Sequence, residues 1–245
     1  MAYDQKKLAF FLPNTFTALN MACGFAAIFM AFKGQFYQSS LLIVLGAVFD
    51  SVDGRIARWT GTQSSFGEQF DSMSDLVSFG ISPAFLFYFK FLNGTGRIGM
   101  ILTFLFALCG ALRLARFNAN IDKVKSDYFQ GLPIPGAATA MVGLVLLSLD
   151  QPYSFWNVVS IPYIIFYSIL MISNIPFPSF KNSNWVREHK RQVFISLILI
   201  LLSVFTYEEI MIPSVITVYV VSSMIYFFMN REKFAGIFEW KDESE

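Results

Sequence analysis

Residues Val48–Gly80 read VFDSVDGRIARWTGTQSSFGEQFDSMSDLVSFG and carry four aspartates, a glutamate and two arginines. The chain around them is apolar: 55% of its 245 residues are hydrophobic, 18% aromatic and 14% charged, with a mean hydropathy of +0.54. A soluble domain carries about 25% charged residues, so this composition is that of a polytopic membrane protein. An aspartate at the centre of a spanning helix costs about 2.5–3.5 kcal/mol and normally faces a cavity, a partner or an ion. The acidic stretch therefore decides how the chain folds around it.

A span needs ~20 mostly apolar residues, and windows of that length fall near 11–32, 38–58, 69–91, 97–117, 132–149, 157–175, 193–206 and 210–229. The expected fold is all-α, with about eight transmembrane helices. With the N-terminus inside, one side of the membrane receives every Lys and Arg among the 18 except Lys33, Lys90 and Arg97. Cytoplasmic loops retain basic residues, so both termini are expected in the cytoplasm. The opening MAYDQKKLAF precedes a long apolar run without a small-residue cleavage site, and reads as an uncleaved first span. No repeat or long linker divides the chain, which gives one membrane domain over 1–230 and a short solvated tail over 231–245. Pro83, next to Gly80, predicts a kink or a locally loosened third span.

Other classes of function find little footing. Cys23 and Cys109 lie inside predicted spans with no CxxC or Cys/His neighbourhood, so neither a disulfide framework nor a zinc site is expected. There is no nucleic-acid footprint, and the single histidine, His189, falls in the basic run REHKRQ beside anionic headgroups.

At 100° per residue, Asp50, Asp53, Gly54 and Ala57 share one face of the second helix, and Gly67, Asp71 and Asp75 form a stripe at i+4 steps on the third. The linker WTGTQSS, with Gly61, is short enough to make the two helices neighbours. Four converging carboxylates repel one another unless a cation compensates them. Oxygen-only ligands favour magnesium, manganese or calcium over zinc. Sodium or proton coupling in a transporter is the rival, but it leaves Arg55, Arg58 and the glycines unexplained. Arginine, divalent metal and small residues together describe a phosphate or pyrophosphate site.

Written as a motif, the stretch is Asp50-x-x-Asp53-Gly54-x-x-Ala57-Arg58, eight residues, then Gly67-x-x-x-Asp71-x-x-x-Asp75. It resembles the signature of the CDP-alcohol phosphotransferase family at every defining position. The resemblance implies an integral membrane enzyme that transfers a phospho-group from a CDP-linked donor to an alcohol and releases CMP. It implies metal ligands at Asp50, Asp53 and Asp71, with Asp75 a further ligand, the general base, or both, and two Mg2+ or Mn2+ ions. Gly54, Ala57, Arg58 and Gly67 match the positions that accommodate the CDP moiety; in the linker, outside the motif's fixed positions, Ser64 or Thr62 is expected to add a hydrogen bond to a donor phosphate.

The acceptor is read from outside the motif. LPNTFTALNMACG (12–24), LVSFGISPA (76–84), ALRLARFN (111–118) and FQGLPIPGAA (129–138) resemble the serine-accepting, integral-membrane branch of the same family. The implied substrates are CDP-diacylglycerol and L-serine, with inositol or glycerol 3-phosphate as the alternative acceptors. Serine is a zwitterion whose carboxylate asks for a cation; Arg113 and Arg116 are the candidates, with Asn118, Asn14 and Asn20 at similar depth. Ser78, one turn beyond Asp75, is a candidate shaper of the acceptor pocket, with helix packing as its competing use. The expected setting is the cell membrane, with the site facing the cytoplasm and a homodimer as a further expectation of the resemblance.

Overall fold

A computed structural model describes residues 2–120, 128–149, 155–178 and 190–234. His189, the neighbouring loop residues and the tail beyond 234 lie outside the described residues. Helix α1 (Ala2–Phe32) and α2 (Phe36–Thr60) pack along their length. A third helix, α3 (Ser65–Thr95), is followed by α4 (Arg97–Asn120), strand β1 (Tyr128–Gln130), α5 (Ile134–Leu147) and α6 (Phe155–Ile172). Strand β2 (Pro176–Pro178), α7 (Lys190–Thr206), α8 (Glu208–Met229) and the single turn α9 (Arg231–Phe234) complete the order.

Four helical stretches among the described residues are long and apolar enough to cross a membrane: Phe11–Phe32, Ser65–Thr95, Arg97–Ala119 and Glu208–Met229. Ile134–Leu147 and Val158–Ile172 are apolar but shorter. Helix α2 has the length, but Asp50, Asp53, Arg55 and Arg58 occupy its last three turns. Phe25, Phe29, Val44, Val48, Phe104 and Val218 are exposed on the outside of the bundle, as lipid-facing positions require.

A set of polar side chains on the first three helices points inward instead, among them Thr17, Asn20, Ser39, Ser40 and Asp53. Ser74, Ser78 and Ser82, spaced i+4 on α3, each donate a 2.9 Å hydrogen bond to a carbonyl of α1, at Thr17, Asn20 and Gly24 respectively. All three serines are fully buried. The ladder needs close backbones, and at Gly24 a Cβ would lie 2.6 Å from Ser78 Cα.

The predicted loosening of the third span takes the form of a π-helical stretch, Leu76–Ile81, just before Pro83. Proline has no N–H for the preceding turn, and a wider turn takes up the mismatch without breaking the helix. A second such stretch spans Tyr88–Leu92. Helix α5 sits in the middle of the bundle, packed by α2, α3, α6 and α8. Pro135 lies in its first turn, where the missing N–H of proline is tolerated.

Strands β1 and β2 pair antiparallel, with Phe129 opposite Phe177. Gly131 leaves β1 at φ +75° and donates to the Ile175 carbonyl at 2.9 Å. A Cβ there would lie 2.4 Å from the Met171 carbonyl oxygen, so the sharp entry into α5 requires glycine. Cys23 and Cys109 are buried free thiols.

Because the nearest atom to a Cβ at Gly24 is backbone, Gly24→Ala forces α1 and α3 apart. Its expected cost is about 1–3 kcal/mol, read as a lower unfolding midpoint in detergent.

Candidate active site

Helix α2 ends at Thr60 with a left-handed Gly61 cap, and after Thr62, Gln63 and Ser64 α3 begins at Ser65. Ser64 is the N-cap of α3, accepting a 3.1 Å hydrogen bond from the Gly67 N–H. This tight connection returns the chain so that the acidic faces of α2 and α3 approach each other. The Ser65–Asp75 segment itself packs chiefly on α1.

Ligand oxygens of Asp50, Asp53 and Asp71 all lie within 4.8 Å of one another. The Asp75 carboxyl, one turn beyond Asp71, meets that of Asp50 at hydrogen-bonding range. Two carboxylates that close are held together only by a proton or a cation between them. One oxygen each of Asp71 and Asp75 is buried with no hydrogen-bond partner, which buried polar atoms rarely tolerate. The donor set is oxygen-only, acidic and under-coordinated, and it fits a hard divalent cation.

An open cleft lies beside this cluster. Asp53, Gly54, Ala57 and Arg58 of α2, Thr62 and Ser64 of the linker, and Gly67 and Asp71 of α3 line it, and Pro13, Asn14 and Thr17 of α1 close its other wall. The structure thus brings the motif's glycines, Arg58, Ser64 and two of its aspartates to one surface. Arg58 is exposed at the helix end, with its guanidinium along the Gly54 side of the cleft.

The acceptor candidates separate. Arg113 is buried, 7% exposed, against the rings of Phe117 and Phe129 at 5.6 and 6.0 Å, and its charge acts on Asp75. Arg116, also expected to serve the acceptor, is engaged elsewhere. Its guanidinium donates to the carbonyls of Gln130, Met171, Ile172 and Ser173 at 2.9–3.3 Å. A cation at the end of α6 satisfies carbonyls that the helix leaves open and opposes its dipole. Arg116 is therefore a staple between α4, α6 and β1. Asn118 donates to Ser72 Oγ at 2.9 Å and ties α4 to α3. Ser78 donates to the Asn20 carbonyl, a contact between α3 and α1.

Two residues of this neighbourhood carry no assignment from the sequence. The Thr17 hydroxyl donates to Asp53 Oδ2 at 2.8 Å, and Ser74 binds the Thr17 carbonyl. The available signal was a pair of stripes, Thr17, Asn20 and Gly24 on α1 and Ser74, Ser78 and Ser82 on α3, each of small or polar residues at helical steps of three or four.

The model of the CDP-alcohol phosphatidyltransferase family matches residues 10–177. The chain belongs to this family. A CDP-diacylglycerol–serine O-phosphatidyltransferase of Helicobacter pylori is 40% identical over 180 residues, 72% of this chain and 75% of that protein. One from Methanocaldococcus jannaschii is 41% identical over 170 residues, 69% and 75% of the two chains. An archaetidylserine synthase of Methanothermobacter thermautotrophicus is 36% identical over 187 residues, 73% and 74%. With its apolar helices, this CDP-alcohol phosphatidyltransferase is an integral membrane protein.

If Arg116 is a staple, Arg116→Met leaves part-buried carbonyls without their charged donor and lowers stability by roughly 1–3 kcal/mol, without raising the acceptor concentration needed for half-maximal rate. Unchanged unfolding in detergent together with a raised acceptor KM would restore the acceptor role.

Proposed function

We propose that this protein transfers the phosphatidyl group of CDP-diacylglycerol to the hydroxyl of L-serine, giving phosphatidylserine and CMP. The observation that carries the reading is the meeting of Asp50, Asp53 and Asp71 beside a cleft lined by the donor motif. Serine as acceptor is supported by the relatives, whose two names differ in the lipid and share serine. Inositol, glycerol 3-phosphate and a cation-transport role have no comparable support.

In this reading Asp50, Asp53, Asp71 and Asp75 hold the divalent cations, two Mg2+ or Mn2+ ions. Bound there, such ions neutralise pyrophosphate charge and stabilise the oxygen on which CMP departs. Arg58 holds a donor phosphate at the exposed end of α2, with Gly54, Ala57 and Gly67 leaving room for the nucleotide. Ser64 keeps its hydroxyl proton while accepting from Gly67, and donates it to the same phosphates. The serine oxygen bonds to the phosphorus that carries diacylglycerol, the pyrophosphate bond breaks, and Asp75 takes the hydroxyl proton. Arg113, the buried cation next to Asp75, pairs with the serine carboxylate.

The arrangement that goes with this chemistry is one catalytic domain over 1–230 with eight spans in the cell membrane and both termini cytoplasmic. The site then opens toward water-soluble serine and CMP, while the diacylglycerol tails stay in lipid. The distribution of basic residues supports it. A homodimer belongs to the same proposal.

The test is CMP release by purified protein in nanodiscs with CDP-diacylglycerol and, separately, serine, inositol or glycerol 3-phosphate. Release should require serine, stop with EDTA and return with Mg2+ or Mn2+. Asp75→Asn should lower the rate by at least ~10²-fold, and Arg113→Leu should raise the serine KM about 10-fold or more. Release driven by another alcohol would overturn the serine assignment.

A further inference from the structure

The carboxylates belong to α2 and α3, yet the lower part of α3 leans on α1. One residue of α1 touches both partners. Thr17 is buried, 3% exposed; its hydroxyl donates to Asp53 Oδ2 on α2 at 2.8 Å, and its carbonyl accepts from Ser74 on α3 at 2.9 Å. We propose that Thr17 is a positioning residue that registers the α2 and α3 carboxylates against each other. The inference rests on reading the four aspartates as a divalent-cation site.

Three features support it. A threonine hydroxyl has one proton, and the 2.8 Å bond to a carboxylate is a better use of it than the 3.2 Å contact with the Pro13 carbonyl. That bond fixes one oxygen of Asp53 and stops the carboxylate from rotating. Ser74 lies three residues after Asp71 and one before Asp75, so anchoring it sets the rotation of α3 about its axis and with it the direction of both acids. The rungs at Ser78 and Ser82 keep the same rotation deeper in the bundle. Groups that orient metal ligands in this way change affinity by roughly 10–100-fold when removed.

Mn2+ binding, followed by the EPR signal of the free ion with protein in zwitterionic nanodiscs and no substrate, tests the proposal. Thr17→Val keeps the shape and removes the hydroxyl; it should weaken Mn2+ binding about 10-fold, and Thr17→Ser should restore most of the affinity. Because Thr17 acts through Asp53, adding Thr17→Val to Asp53→Asn should cost less than it does in the wild-type background. Wild-type affinity in Thr17→Val, with binding lost in Asp53→Asn, would overturn the positioning role and leave the cation site standing. Equal binding by wild type and Asp53→Asn would overturn both. Should Thr17→Val fail to fold, Ser74→Ala cuts only the link to α3. Weakened Mn2+ binding there supports the proposal, and unchanged binding overturns it.

Discussion

Carboxylates repel one another, and inside a helix bundle the repulsion is several times what water allows. Asp50, Asp53 and Asp71 nevertheless bring oxygens within 4.8 Å, with Asp75 against Asp50. Something must hold the backbones in place against that force. The serine ladder between α3 and α1 does so with three hydrogen bonds to main-chain carbonyls. Each such bond in a membrane contributes only about 0.6 kcal/mol on average, so the ladder's importance lies in fixing rotation and depth more than in total stability.

The chain combines an apolar core with an apolar exterior and buries a set of polar groups among its helices. Its exposed surface carries Phe25, Phe29, Val44 and Val48, while Thr17, Asn20, Ser39, Ser40, Asp53 and Ser74 are buried. In lipid the polar groups can be satisfied only by one another or by whatever enters the site. Ser39, for example, donates to the Ala27 carbonyl at 2.8 Å, joining α2 to α1 in the same manner. Among the described residues the Asn20 amide, the Ser40 hydroxyl and one oxygen each of Asp71 and Asp75 are left without a partner; the two carboxylates are the ones that carry charge, and they point to a cationic ligand.

Much of this is legible in the sequence because it is local. Asp50 and Asp53 share a face by helical period alone, as do Gly67, Asp71 and Asp75, and WTGTQSS is too short to do anything but turn. The loosening before Pro83 follows from a missing N–H. What could not be read is which helix lies between which. Thr17 and Asp53 are 36 residues apart, and Arg116 meets the end of α6 more than 50 residues away. Neither contact has a signature in spacing. Four long apolar helices among the described residues stand against eight windows, because α2 gives up hydropathy to its aspartates, α5 is only 14 residues long, the apolar part of α6 runs only over Val158–Ile172 and α7 has 17 residues.

Arg113 and Arg116 make the point most sharply, since they sit three residues apart in ALRLARFN and look interchangeable. At 100° per residue their directions differ by about 60°, enough to send one side chain toward Asp75 and the other toward the carbonyls at the end of α6. The two roles support each other. Arg116 ties β1 to the end of α6, and Phe129 on β1 is one of the two rings that pack against Arg113. An arginine with its donors filled by main chain thus helps to hold the neighbouring arginine beside the acids, where its charge bears on Asp75.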